Sequence, residues 1–171
     1  MQFAKWHALG NSYLVVEQPE AGSLTPDRVW RLCSVETGIG SDGVIEVTQR
    51  DGAEAVITIW NPDGSTAEMS GNGVRIAARW LAAETGVGEV TIETAGRRIA
   101  ARMIDALEVV TDVGAVTVRE SEVVDGIELT TASVGNPHAV IRLDSPTRND
   151  LVRLGPLVEN KADVVYGSRF S

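Results

Sequence analysis

The most informative part of the sequence is Asn61-Pro62-Asp63-Gly64-Ser65-Thr66-Ala67-Glu68-Met69-Ser70-Gly71-Asn72-Gly73-Val74-Arg75. Turn-forming and polar residues lead here directly into an apolar segment. We predict a helix over Gly73–Thr85, ended by Gly86. Its apolar residues cover nearly the whole circumference: Val74, Ile76, Ala77, Ala78, Trp80, Leu81, Ala82 and Ala83. A helix that is apolar all round is buried, so we expect it to be the centre of the fold.

Short strands with turn residues between them fill most of the remaining sequence. Two further helices are predicted, over Pro26–Cys33, after a capping Thr25, and over Thr147–Leu154. The predicted strands are Gln2–Trp6, Tyr13–Glu17, Gly43–Thr48, Ala55–Trp60, Glu89–Glu93, Arg98–Met103, Leu107–Val110, Ile127–Val134 and His138–Arg142. The sequence therefore predicts an α+β fold, with a strongly curved, antiparallel-rich sheet or barrel wrapped around one central buried helix.

Composition narrows the class of protein. The chain has 171 residues, a formal charge of −9 and an isoelectric point of about 4.7. The net negative charge argues against nucleic acid or an anionic membrane as a partner. We see no secretion leader or long apolar run. Cys33 is the only cysteine, which excludes an intramolecular disulfide and favours the cytoplasm. We expect Cys33 to be a small buried hydrophobe.

The segment Gly71-Asn72-Gly73 suits the binding of an anion. The first N–H groups of a helix have no partners within the helix, and the helix dipole is positive at that end. Glycine lets a ligand approach the backbone closely. By itself the segment is equally typical of an ordinary glycine-rich turn; within the longer run from Asn61 it favours a carboxylate site.

Three more motifs accompany this run. They are Lys5-Trp6-His7-Ala8-Leu9-Gly10-Asn11-Ser12-Tyr13, Gly38-Ile39-Gly40-Ser41-Asp42-Gly43 and Gly135-Asn136-Pro137-His138. Each alone is typical of a turn between strands. Together, in this order, the four motifs resemble those of the diaminopimelate epimerase family. The resemblance extends over Met1–Glu159, and we expect one domain over residues 1–159 followed by a divergent tail over residues 160–171.

The resemblance implies an isomerase of lysine and cell-wall biosynthesis that interconverts LL- and meso-diaminopimelate without metal or organic cofactor. The implied partner is a small-molecule amino-acid substrate, similar to diaminopimelate. The implied catalytic residues are Ser70 and His138, and the implied substrate-binding residues are Asn11, Asn61, Gly71, Asn72 and Asn136. Side-chain amides both donate and accept hydrogen bonds, which suits the two ends of a zwitterion. Gly43 stands where many relatives have glutamine, so a polar contact is expected to be missing there.

Two departures from the family bear on activity. Ser70 occupies the position of a catalytic cysteine, which leaves three interpretations: an engineered replacement, a natural variant with altered chemistry, or a lost activity. The Gly-x-Gly-Glu-Thr-like and Ala-Cys-Gly-Thr-Gly-like stretches of the family's second half do not occur in this sequence. We therefore expect little or no activity from this chain alone, and either a homo-oligomer or a separate second half as its partner.

Alternative interpretations remain open. The chain can be a non-catalytic, self-associating half-domain, an engineered fragment or chimera, that keeps a carboxylate-binding helix end. The related phenazine-biosynthesis isomerases are another alternative, although Asn61–Arg75 matches the epimerase form better. In the tail, Ala162–Phe170 looks like a segment of family-two glycosyltransferases, which favours a fusion scar, whereas a divergent linker is the simpler explanation.

Overall fold

A computed structural model describes residues 2–18, 22–124, 126–134 and 137–159. The chain divides into two compact units, Met1–Gly114 and Ala115–Ser171. The assignment of residues 1–159 to one domain stays a prediction, and the tail over residues 160–171 lies outside the described residues.

The described residues of the first unit form one sheet. Its strands are β1 (Ala4–Ala8), β2 (Asn11–Glu17), β3 (Val44–Asp51), β4 (Glu54–Trp60), β5 (Thr66–Ala67), β6 (Glu89–Thr94), β7 (Arg97–Met103) and β8 (Val109–Thr111). They follow the order β1-β2-β3-β4-β6-β7-β8, and β5 pairs with β4. The pairs β2–β3 and β4–β6 are parallel and the others antiparallel. The antiparallel-rich, curved sheet of the prediction is confirmed.

The central buried helix is also confirmed. Helix α2 (Gly71–Thr85) packs against β1, β2, β4, β6, β7 and β8. Leu81 and Ala78 are fully buried in it, and Trp80 is only 6% exposed. Burial of a large apolar side chain such as Leu81 stabilises the fold by about 1.5–3 kcal/mol. The helix begins two residues earlier than predicted because Ser70 caps it.

The opposite face of the sheet is covered by α1 (Pro26–Cys33), whose bounds match the prediction. Thr25 caps it, with its Oγ1 accepting a hydrogen bond of 3.3 Å from the Arg28 N–H. Side chains alternate along β2: Tyr13 and Val15 join the core around α2, whereas Leu14 and Val16 join the cluster around α1. Because both faces of β2 are buried, its position between the two layers is strongly specified.

Cys33 lies in the α1 cluster and is 5% exposed. The predicted role of Cys33 as a small buried hydrophobe is confirmed. Burial raises the pKa of its thiol, and the hydrogen bond from the Ser41 hydroxyl opposes that shift.

The described residues of the second unit form a three-stranded antiparallel sheet in the order β11-β10-β9 and one helix. Their bounds are β9 (Thr117–Val124), β10 (Ile127–Ser133), β11 (Pro137–Val140) and α3 (Arg148–Glu159). Strand β9 was not predicted, because its residues are nearly all exposed and no apolar alternation marks it. Helix α3 begins one residue later than predicted, where Thr147 and Asp150 exchange capping hydrogen bonds, and runs five residues further.

None of the helices in the described part of the chain is long and apolar enough to cross a membrane.

Candidate active site

Ser70 is the N-cap of α2 rather than a residue of the preceding loop. Its backbone is extended, and its Oγ accepts a hydrogen bond of 3.0 Å from the Gly73 N–H. The Val74 N–H donates to the Ser70 carbonyl at 2.8 Å, which closes the first turn. Helix geometry leaves the N–H groups of Gly71 and Asn72 without acceptors inside the helix. Ser70, Gly71 and Asn72 are called the helix entrance below.

Three strands end beside the helix entrance. Leu14 pairs with Val44, and Val44 pairs with Trp60. One position further along, Tyr13, Gly43 and Asn61 therefore lie in line across β2, β3 and β4. They share the sheet face of Val15, Ile45 and Ile59, which belong to the core around α2. This row crosses the three strands near the ends that adjoin the candidate site.

Gly43 is required by this arrangement. A Cβ at Gly43 would lie 2.4 Å from the Trp60 carbonyl oxygen and 2.7 Å from Cε1 of Tyr13. The Tyr13 ring occupies the space that a side chain at position 43 would need. The expected loss of a polar contact at Gly43 is thus accompanied by a gain, since the Tyr13 hydroxyl lies 3.2 Å from the Ser70 Oγ.

Asn61 opens the turn that joins β4 to β5. Its Nδ2 donates to the Ser65 Oγ at 2.9 Å, and its backbone N–H donates to the Ser65 carbonyl at 2.8 Å. Asp63 accepts from both the N–H and the hydroxyl of Ser65. The Asn61 side-chain amide therefore uses one N–H in the turn, and its carbonyl oxygen and second N–H can bind other partners.

The loop between Gly38 and Gly43 fixes the start of β2, where Asn11 lies. Lys5 Nζ donates to the Gly40 carbonyl at 2.6 Å, and Asp42 Oδ2 accepts from the N–H and hydroxyl of Ser12 at 2.7 and 2.9 Å. The two hydrogen bonds from Ser12 hold the pKa of the Asp42 carboxyl below its usual range. Asn11 is exposed at this rim, two residues before Tyr13 and on the same face of β2.

A cleft of about 410 Å³ adjoins the helix entrance, lined by Asn72, Arg75, Trp6, Leu9 and Leu107 among others. Arg75 Nη1 donates to the Asn72 side-chain oxygen at 3.4 Å. It also lies 3.3 Å from the point that a Cβ would occupy if Gly71 had a side chain. A guanidinium adds positive charge to the positive end of the helix. The helix entrance therefore offers free N–H groups and a cation to an anion.

The structure places only some of the predicted site residues in the first unit. Ser70, Gly71 and Asn72 are consecutive at the helix entrance, whereas Asn61 and Asn11 lie at the ends of strands of the same unit. Asn136 lies outside the described residues, and His138 is an exposed residue of β11 in the second unit. The functional roles of all these residues stay predictions.

Sequence reasoning missed Tyr13 and Arg75. A tyrosine ahead of the apolar run Leu14–Val16 was a weak indication, because its hydroxyl needs a partner when buried. Arg75 interrupts an otherwise apolar helix four residues after Gly71, so it lies over the first turn.

A metal centre is not evident in residues 2–18, 22–124, 126–134 and 137–159, where no three His, Cys, Asp or Glu side chains cluster suitably. The absence of metal and organic cofactor from the reaction stays a prediction from the resemblance.

Comparison with known proteins decides the family. The family model described as diaminopimelate epimerase matches residues 3–118, which cover the whole site of the first unit. The chain belongs to the diaminopimelate epimerase family. The family resemblance predicted from the four motifs is thereby confirmed.

Curated relatives agree with this assignment. A diaminopimelate epimerase of Synechococcus elongatus is 30% identical over 94% of this chain and 66% of its own length. Diaminopimelate epimerase 2 of Nostoc is 36% identical over 93% of this chain and 64% of its own length. The chain thus spans slightly less than two thirds of these relatives.

A solved structure extends the likeness to the fold. The probable proline racemase of Agrobacterium radiobacter matches with a TM-score of 0.69 and 19% identity, over 95% of this chain and 59% of that one. At this identity the likeness concerns the fold alone, which is shared with a protein named as a racemase.

Proposed function

We propose that this chain carries the first half of the active site of a cofactor-independent amino-acid epimerase, with diaminopimelate as substrate. The observation that carries the proposal is the helix entrance. It joins a hydroxyl at the family's catalytic position to backbone N–H groups that have no acceptor within the helix and to the Arg75 cation. Oriented N–H groups and a cation are the groups that hold a carboxylate.

In this proposal the backbone of Gly71 and Asn72 binds the substrate α-carboxylate. The amides of Asn11 and Asn61 bind polar groups of the same amino acid, in keeping with their positions at the rim of the sheet. The α-carbon then lies in front of the Ser70 Oγ. The family resemblance adds Asn136 and His138 of the second unit to the binding and catalytic residues.

Epimerisation needs acid/base groups on both faces of the α-carbon. One removes the α-proton, and the other returns a proton to the opposite face. A thiol is suited to both tasks, whereas a serine hydroxyl is a much weaker acid and needs help from neighbouring groups. We propose that Ser70 serves as the proton donor and that the opposing group comes from outside these 171 residues. Removing one member of such a pair costs nearly the whole rate enhancement.

A second candidate function is a binding or assembly module that keeps the helix entrance without catalysis. The serine at position 70 favours this alternative, because it keeps the helix cap and the carboxylate site while removing the thiol. Self-association of the chain belongs to both candidates, since a second copy would add another Ser70 and no thiol to the site. Location in the cytoplasm likewise stays an expectation.

The decisive experiment follows the α-proton signal of LL-diaminopimelate by proton NMR in deuterium oxide. Four samples are compared: this chain, its Ser70→Cys variant, and each of them mixed with the separately produced second half of a curated relative. We expect exchange only when the second half is present, and faster exchange with Ser70→Cys. Substrate binding is measured in the same samples, with Arg75→Gln as the variant expected to weaken it, because it removes the cation beside the helix entrance.

Exchange by either chain without the second half would refute the claim that the opposing group lies elsewhere. Binding without exchange in all four samples would favour the binding module. If the samples showed no binding and no exchange, the carboxylate site itself would be refuted.

A further inference from the structure

We propose that Tyr13 is a positioning residue for Ser70, and that its phenol donates a hydrogen bond which stabilises negative charge on the Ser70 Oγ. The catalytic consequence of this proposal rests on the proposed function; the hydrogen bond itself does not. Tyr13 comes from β2, 57 residues away in sequence, and approaches the Oγ to 3.2 Å.

The direction of this hydrogen bond follows from the partners of the two hydroxyls. The Ser70 Oγ already accepts from the Gly73 N–H at 3.0 Å, so one lone pair and its proton remain. A phenol is a stronger acid than an aliphatic alcohol, so Tyr13 is the better donor and Ser70 the better acceptor. Both lone pairs of the Oγ are then occupied, which leaves its proton available for donation to the substrate of the proposed function.

The structure holds the phenol in this place. Tyr13 is only 5% exposed, and its ring lies over Gly43, where any side chain would displace it. Val15 and Ile45 belong to the same packed cluster as the ring. A buried ring in close packing has few alternative rotamers, so the hydroxyl is held toward the helix entrance rather than brought there by substrate.

The chemical effect concerns the charge that forms on Oγ. When Ser70 protonates the substrate carbanion, its O–H bond breaks, the α-carbon–hydrogen bond forms, and the electron pair stays on the Oγ. The Gly73 N–H and the Tyr13 O–H both point at that oxygen, an arrangement like that of an oxyanion hole. The positive end of α2 and the Arg75 guanidinium act in the same direction.

The proposal is tested with a thiol as the probe of charge at position 70. The rate of alkylation by iodoacetamide is followed by mass spectrometry between pH 5 and pH 10 for Ser70→Cys and for Ser70→Cys with Tyr13→Phe. Gly73, Arg75 and the helix dipole are present in both variants. We expect loss of the phenol to raise the pKa of the introduced thiol at position 70 by about one unit, as for one hydrogen bond to a charged group.

Folding is controlled in the same experiment. The buried Cys33 lies in the other cluster, so its slow alkylation is the internal standard and must be equal in the two variants. The parent chain with Ser70 gives the Cys33 background, and thermal melts confirm that Tyr13→Phe keeps the fold.

An unchanged thiol pKa would overturn the proposal. A lowered thiol pKa would overturn it as well, because it would mean that position 70 donates to Tyr13 and loses that bond on ionisation. Neither result would bear on the α-proton exchange experiment, so failure of this inference can be told apart from failure of the proposed function.

Discussion

Gly43→Ala is expected to be among the most damaging single-methyl additions in the first unit. The added Cβ would lie 2.4 Å from the Trp60 carbonyl oxygen, a backbone atom within the β3–β4 ladder that cannot move independently. It would also lie 2.7 Å from Tyr13 Cε1 and push the ring away from Ser70. Overpacking costs about 1–3 kcal/mol, and loss of the Tyr13–Ser70 hydrogen bond adds about 1 kcal/mol.

The expected loss in free energy of unfolding is therefore about 3 kcal/mol. It is measured by urea unfolding followed by tryptophan fluorescence, which reports on the first unit because all four tryptophans lie there: Trp6, Trp30, Trp60 and Trp80. With a slope of about 2 kcal/mol per molar urea, the midpoint falls by about 1.5 M.

Gly88→Ala is the matched control. Nothing lies within 4 Å of a Cβ at Gly88, and its backbone is not left-handed. Its stability should be unchanged or rise by about 0.5 kcal/mol, because alanine restricts the unfolded chain. If Gly43→Ala unfolds within about 0.5 kcal/mol of this control, the close packing of Tyr13 over Gly43, and with it the argument for a fixed phenol, is wrong.

Two further predictions concern the cap and the rim of the site. Ser70→Ala should lower the free energy of unfolding by about 2 kcal/mol because the Gly73 N–H loses its acceptor and the Tyr13 hydroxyl loses its partner, whereas Ser70→Asp should lose less because its carboxylate still accepts from the Gly73 N–H; equal losses in the two variants would contradict the capping role. Asp42 should stabilise the fold above the ordinary carboxyl pKa and lose that contribution as the pH falls through its depressed folded pKa. Urea midpoints between about pH 5 and pH 2 should therefore fall less steeply for Asp42→Asn than for the parent, and superimposable profiles would refute this.

Local pattern was enough for both ends of α1 and for the end of α2. Thr25-Pro26 at the start of α1 and Gly86 at the end of α2 are caps whose effect depends on neighbouring residues alone, so their bounds could be predicted. The apolar circumference of α2 likewise required burial whatever surrounded it. Strand β9 could not be predicted in this way. It is exposed and is held by its pairing with β10, so its own residues show no apolar alternation.

The family, the central helix and the serine at position 70 could all be recognised in the sequence alone, because each depends on residues that are consecutive or regularly spaced. The contact of the Tyr13 hydroxyl with the Ser70 Oγ across the sheet could be seen only in the folded protein. That contact depends on three conditions together: the register of β2 on β3, the absence of a side chain at Gly43, and the packing of α2 against the sheet. Packing sets such contacts jointly among distant residues, and no local pattern records them.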